Sequence, residues 1–182
     1  MQEQPYRQSF NADQLQATYQ AATMSEELVS NYYKMSAHQW LKPRYDVKTL
    51  SDLSLSEIVD GPFAQIIRYE GQRPGSSLGS ESYDFYKICL QDHTILATLD
   101  QIPDLSLLPF CVYIITHELI HIVRFGRFLQ HFDATAEEKL AEERRVHQST
   151  HEILAPLHLT GLKPVLGYFH QWRLPLESLS DL

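Results

Sequence analysis

Residues 111–123 are apolar at almost every position, and this run constrains the fold more than any other feature of the chain. A helix that is apolar all round is buried all round, so we expect a core helix over residues 110–130. Gly126 is expected to weaken or end it. Its polar positions argue against a membrane span. These positions are Thr116, His117, Glu118 and His121.

The polar residues of this helix have the spacing of a metal site. His117 and His121 are four residues apart, so their rings project from one helix face, one turn apart. Two imidazole nitrogens can then lie about 2.0–2.1 Å from one zinc ion. Glu118 would lie beside the metal, where it can accept a proton from an attacking water. Because burying such groups unpaired costs roughly several kcal/mol, a shared metal explains them better than separate core hydrogen bonds do.

A hydrolytic zinc site needs a third protein ligand, and the next helix offers candidates. Thr135 and Glu138 form a capping-box pattern, which predicts a helix over residues 135–154. Glu143 falls near the centre of its apolar stripe and Glu142 on the flank. A carboxylate in a buried stripe needs a partner, so Glu143 is the predicted ligand and Glu142 the alternative. The stripe consists of Ala136, Leu140, Val146, Ile153 and Leu154.

Two histidines follow Glu143 on nearly the same helix face. We predict a catalytic role for His147, which could support the ligands or donate a hydrogen bond to a substrate oxyanion. A second metal or a satisfied core histidine remains an alternative for His147, and the role of His151 stays open. Five further charged residues of the helix are expected to be solvated or paired with one another. They are Glu137, Glu138, Glu142, Arg144 and Arg145.

The middle of the chain is rich in β-forming residues. Residues 63–69 predict a strand, and the Gly/Ser/Pro-rich residues 71–80 predict a loop. The runs 83–90 and 94–99 flank the short polar connection 91–93, which predicts a β-hairpin.

Apolar residues at helical spacing predict a long helix over residues 13–38 and a short one over 49–58. Pro43 is expected to end the first region. The 182 residues are enough for a single domain, and we predict an α+β fold. Its parts are an N-terminal helical region (1–60), a β-rich part (61–100), the metal-site helices (109–155) and a C-terminal cover (156–182).

Composition narrows the possible partners and compartments. A net charge of -8 argues against binding to nucleic acid or to anionic membranes. Cys89 and Cys111 share no CxxC spacing, so neither a disulfide framework nor a cysteine zinc site is expected. Residues 1–7 lack the basic start and apolar stretch of a signal peptide. We therefore expect a cytoplasmic protein.

The HELIH sequence at residues 117–121, followed by Glu143, resembles the active site of gluzincin-type zinc metallopeptidases. The resemblance implies that His117, His121 and Glu143 bind Zn²⁺ and that Glu118 is the general base. It also implies a peptide or protein substrate. The implied fold is zincin-like, with a small β-sheet before the active-site helix and an edge strand that binds extended peptides.

The resemblance covers residues 83–154 and includes one departure from the family pattern. Larger members often carry an acidic residue four positions after the ligand glutamate, where this chain has His147. The glycine and third histidine of metzincins are absent, since positions 124 and 127 are arginines.

Two other functions remain open. Glu118 and His121 form an ExxH element like those of di-iron carboxylate proteins, which would make the chain a non-peptidase metalloenzyme. Such proteins need a second ExxH, and Glu143 is followed by histidine four positions on, not three. Alternatively, the chain is a catalytically silent binding module with a zincin-like fold, in which His147 could be a fourth metal ligand.

Overall fold

The computed structural model describes residues 7–36, 38–39, 44–72, 82–131 and 133–173, and within them the fold combines α-helices with a small β-sheet. The helices are α1 (Ala12–Tyr33), α2 (Asp92–Gln101), α3 (Leu107–Gly126), α4 (Ala136–Leu154) and α5 (Leu162–Tyr168). The strands are β1 (Arg44–Lys48), β2 (Ala64–Gln72) and β3 (Ser82–Leu90). The predicted α+β class is therefore confirmed.

The three strands form one sheet in the order β1-β3-β2. β1 runs parallel to β3, with Arg44 opposite Phe85, and β2 runs antiparallel to β3, with Ala64 opposite Leu90. The central strand supplies core residues such as Ile88, which is fully buried. Because β2 pairs on one side only within the described residues, it is an edge strand.

The predicted hairpin is wrong in its second half, because residues 94–99 belong to α2. Ile95 and Leu96 are buried there, and Leu99 packs against the same core, which is helical spacing. Their β-branched neighbours suggested a strand, but tertiary burial of one helical face outweighs that local preference. β3 pairs with β1 and β2 instead.

Gln91 and Asp92, at the start of α2, are buried and do not form a hairpin turn. The Gln91 side chain is fully buried and accepts a hydrogen bond from the Val59 backbone N–H at 3.0 Å. The Asp92 carboxylate accepts hydrogen bonds from the backbone N–H groups of Phe10 at 2.9 Å and Leu50 at 3.0 Å. Burial raises the pKa of Asp92 above its ordinary value. These two side chains join the start of α2 to the N-terminal segment.

Helix α3 is the core helix that its apolar run predicts. Its residues from Pro109 to Val123 are buried, with Glu118 partly exposed, and it ends at Gly126, four residues before the predicted end. By length and composition it could cross a membrane, with a mean hydropathy of 1.4, but 78% of that apolar window is buried inside the protein. Core helices of soluble proteins meet the same criterion.

Helix α1 packs along α3. Ala21 and Val29 are fully buried, and the Ser25 hydroxyl donates to the Val112 carbonyl at 3.2 Å. α1 ends at Tyr33, earlier than predicted, with Lys34 in the left-handed conformation. The predicted helix over residues 49–58 is instead two short 3₁₀ turns, Leu50–Asp52 and Leu55–Glu57.

The predicted helix α4 is confirmed with its cap. The Thr135 side chain accepts from the Glu138 backbone N–H, and the Glu138 side chain bonds back to Thr135. The short helix α5 lies within the region predicted as a C-terminal cover. Of the predicted loop 71–80, residues 71 and 72 belong to β2 and the remainder lies outside the described residues, as does Pro43.

Candidate metal centre

One face of α3 and one face of α4 line a common cavity of about 560 Å³. Four α3 residues recur every four positions, at Tyr113, His117, His121 and Phe125, because about one turn of helix separates them, and Ile114 and Glu118 line the cavity beside them. The α4 residues share this spacing, and they are Lys139, Glu143 and His147. Helical periodicity therefore places most of the site residues on one face of each helix, and the packing of α3 against α4 brings the two faces to one cavity.

The three predicted metal ligands meet at one point of this cavity. The Nε2 atoms of His117 and His121 lie 3.1 Å apart. One carboxylate oxygen of Glu143 lies 3.2 Å from His117 Nε2, and the other lies 3.2 Å from His121 Nε2. Two helices separated by the 127–135 connection thus contribute three donor groups to a single point.

These spacings fit a zinc ion. Ligands about 2.0–2.1 Å from a tetrahedral zinc lie about 3.3 Å from one another, and two histidines with one glutamate are a known hydrolytic donor set. Within the described residues, Nδ1 of His117 is buried without a hydrogen-bond partner, so this ring is oriented through its Nε2 contacts. The residues present therefore fit the metal that the motif implies.

A second donor set overlaps the first. His117, Glu143 and His147 each offer an atom, and these atoms lie within 4.8 Å of one another. The spacing of the set containing His121 is tighter and closer to that of zinc ligands. The donor set with His121 therefore fits zinc better than the set with His147.

Electrostatics couple the same three side chains. Burial opposes charge on both His121 and Glu143, but their mutual contact outweighs it. The pKa of His121 rises to about 9, and the pKa of Glu143 falls well below its ordinary value because His117 and His121 both bond to it. A cation, whether proton or metal, is thus stabilised between these groups.

Gln130 orients His121 from the connection between α3 and α4. Its Oε1 lies 3.0 Å from Nδ1 of His121. Because an amide oxygen can only accept, Nδ1 must carry the proton, which leaves the Nε2 lone pair of the neutral ring free to bind a metal.

Glu118 and His147, the two predicted catalytic residues, both line the cavity beside the candidate ligands. Glu118 forms no hydrogen bond or ion pair within the described residues. Burial raises the pKa of Glu118 above its ordinary value, and burial lowers the pKa of His147 to about 3. His147 stacks on His117 with ring centroids 4.2 Å apart. Its Nδ1 lies 2.8 Å from the Tyr113 hydroxyl.

The predicted stripe on α4 is displaced by about one position. Leu140 is 44% exposed and Glu143 lies at the rim, with its side chain 49% exposed. Glu142, predicted to be solvated, is buried and paired with Arg124 and Arg145. Glu143, the predicted ligand, faces the cavity and not the apolar core. His151 is partly buried, with an unpartnered Nδ1.

No protein-family model matches the chain, and comparison with curated proteins and with solved structures also gives no match.

The motif did not predict several aromatic and polar residues that line the cavity. They are Tyr113, Phe169, Trp172 and Gln130. Tyr113 lies one turn before His117, so helical spacing could have placed it there. Phe169 and Trp172 come from the chain after α5, and Gln130 from an irregular connection, where no periodicity applies. The Tyr113 and Phe169 rings stack in parallel with centroids 3.9 Å apart.

Proposed function

We propose that this chain is a zinc-dependent hydrolase that cleaves peptide or amide bonds. One observation carries the proposal: His117 and His121 present their Nε2 atoms 3.1 Å apart, each 3.2 Å from the Glu143 carboxylate. His117, His121 and Glu143 would hold the metal. When bound, zinc supplies Lewis acidity and lowers the pKa of water from 15.7 to about 7.

Glu118 is the proposed general base. It neighbours the ligand His117 without joining the donor set, and within the described residues its carboxylate has no partner that would compete for a proton. It accepts the proton of the attacking water and passes it to the leaving amine. His147, behind His117, is the proposed donor to the oxygen that gains negative charge.

The cavity suits an extended chain as substrate. Residues Ala64, Gln65 and Ile66 at the start of edge strand β2 line it opposite α3. An edge strand can pair with an extended peptide through backbone hydrogen bonds. The cavity also has an aromatic wall, built by Phe63, Phe125, Phe169 and Trp172, which supports binding of an apolar side chain next to the cleaved bond.

Metal analysis of the purified protein tests the proposal. We expect one zinc per chain, lost in His117→Ala and in Glu143→Ala. Matched controls are His158→Ala and Glu137→Ala, since both residues are exposed and outside the cavity. Retention of zinc in Glu143→Ala would contradict the ligand set, and two iron atoms per chain would favour the non-peptidase metalloenzyme.

A catalytically silent binding module is the second candidate, and one observation favours it. His147 lies close enough to His117 and Glu143 to act as a further ligand. Four protein ligands would leave no open position for water. Hydrolysis of dye-labelled casein or of a peptide library, followed by mass spectrometry, distinguishes the two candidates.

A further inference from the structure

Tyr113 and His147 form a buried pair at the back of the candidate metal centre. Tyr113 is 1% exposed and His147 8% exposed. The Tyr113 hydroxyl lies 2.8 Å from Nδ1 of His147, and no other partner for this hydroxyl occurs among the described residues. The two side chains come from α3 and α4, so the contact depends on how these helices pack.

The hydrogen in this contact can be assigned from the groups available. A buried phenol O–H that does not donate loses its hydrogen bond with water without compensation, which costs about 1–3 kcal/mol. His147 Nδ1 is the acceptor within reach, so Tyr113 donates and Nδ1 accepts. A neutral imidazole carries one proton, which must then be on Nε2.

The surrounding rings keep both side chains in place. Tyr113 lies parallel to Phe169, at 2° and 3.9 Å between centroids. The His147 ring packs between His117, at 4.2 Å, and Trp172, at 6.1 Å. With Nδ1 occupied by Tyr113, Nε2 is the nitrogen of His147 left for the metal centre.

We propose that Tyr113 is a positioning residue that holds His147 in the tautomer with its proton on Nε2. His147 is then a hydrogen-bond donor to the substrate oxygen that gains negative charge, and not a fourth metal ligand, because a protonated nitrogen has no lone pair to offer. This inference rests on the proposed hydrolase function and extends it to the orientation of the substrate carbonyl.

Nitrogen NMR of the zinc-loaded chain, labelled with ¹⁵N at histidine, tests the tautomer directly. We expect His147 to show a protonated Nε2 and an unprotonated Nδ1. A protonated Nδ1, or Nε2 bound to the metal, would overturn the proposal. The measurement needs no variant, and it can be repeated on the metal-free chain. It therefore remains informative if zinc does not bind, which would contradict the proposed function separately.

Variants test whether Tyr113 determines which tautomer His147 adopts. In Tyr113→Phe, we expect the preference for the Nε2 proton to be lost, whereas Tyr168→Phe, in the same aromatic cluster, should keep the native pattern. Casein hydrolysis should fall about 10–100-fold in Tyr113→Phe, with metal content unchanged. In a His147→Ala background the same substitution should have no further effect, because Tyr113 acts through His147. An unchanged His147 signal in Tyr113→Phe, or additive losses, would overturn the proposal.

Discussion

Arg124 of α3 and Glu142 of α4 form a buried ion pair directly beside the candidate metal centre. The Arg124 and Glu142 side chains are 12% and 7% exposed, and Nη2 lies 3.1 Å from Oε2. Arg124 follows the candidate ligand His121 by three residues, and Glu142 precedes the candidate ligand Glu143 by one. The pair therefore sets the register in which the two ligand-bearing helices meet.

Removing the Glu142 carboxylate should destabilise the fold and weaken metal binding. In Glu142→Ala, Arg124 loses its buried partner, and we expect a loss of about 3–5 kcal/mol in the free energy of unfolding. Urea denaturation monitored by circular dichroism measures this loss. The control Glu137→Ala, at an exposed position of the same helix, should change it by less than about 0.5 kcal/mol. Equal effects of the two substitutions would show that the ion pair has no special role.

The general-base assignment makes a distinct prediction for Glu118. Glu118→Gln keeps the shape of the side chain but cannot accept the proton, so we expect zinc content to be retained and hydrolysis to fall below detection. Metal analysis and casein hydrolysis on the same preparation check both statements. Normal turnover in this variant would exclude Glu118 as the base.

Gln130 should affect the affinity for the metal more than the fold. Gln130→Ala removes the acceptor for His121 Nδ1, 3.0 Å away. Loss of such a supporting hydrogen bond typically lowers metal affinity about 10–100-fold. Competition with a chromophoric chelator measures the change, and Gln130→Glu, which can still accept from Nδ1, should restore most of the affinity. No change in Gln130→Ala would show that this contact does not orient the ligand.

Acid stability should depend on Glu57, which does not line the cavity of the candidate metal centre. The Lys87 ammonium 2.6 Å away, the Ser54 backbone N–H and the Tyr69 hydroxyl lower the pKa of Glu57 to about 2. The unfolded chain therefore binds a proton more readily at this position than the folded one does. The resulting stability is present above pH ~4.5 and is lost as the pH falls towards ~2.

Substitution of Glu57 by glutamine tests the direction of this pH dependence. Stability of Glu57→Gln, measured by urea denaturation between pH 2 and 6, should fall less steeply with acid than that of the native chain. Glu70→Gln is the matched control, since Glu70 pairs with Arg68 on the exposed part of the same sheet. An unchanged acid dependence in Glu57→Gln would contradict the prediction.

Gly161 is required where α5 meets the start of α3. Its φ is +81°, and an added Cβ would lie 2.6 Å from Ser106 Oγ. We expect Gly161→Ala to lower the free energy of unfolding by about 1–3 kcal/mol. Gly167→Ala is the control: Gly167 lies within α5 with nothing within 4 Å, so alanine should stabilise by about 0.5–1 kcal/mol. Thermal unfolding of both variants distinguishes them, and a neutral Gly161→Ala would contradict the strain argument.

Sequence reasoning succeeded where the evidence was local and periodic. Helix α4 and its Thr135 cap, the burial of α3, and the placement of His117 and His121 on one helix face all follow from local signals along the chain. It failed for residues 94–99, whose β-branched residues suggested a strand, and for Glu142, whose burial depends on Arg124 from another helix. The zinc-dependent function remains a prediction, as do the cytoplasmic location and the lack of nucleic-acid or membrane partners.

The sequence by itself determined which side chains share a helix face, because 3.6 residues per turn place positions four apart beside each other. That was enough to propose His117, His121 and Glu143 as candidate metal ligands and Glu118 as the candidate base. Only the tertiary structure decided which groups surround them: the hydroxyl of Tyr113 on His147, the Gln130 amide on His121, and the aromatic wall after α5. These contacts join segments far apart in the chain, and their geometry follows from how the helices pack and not from local periodicity.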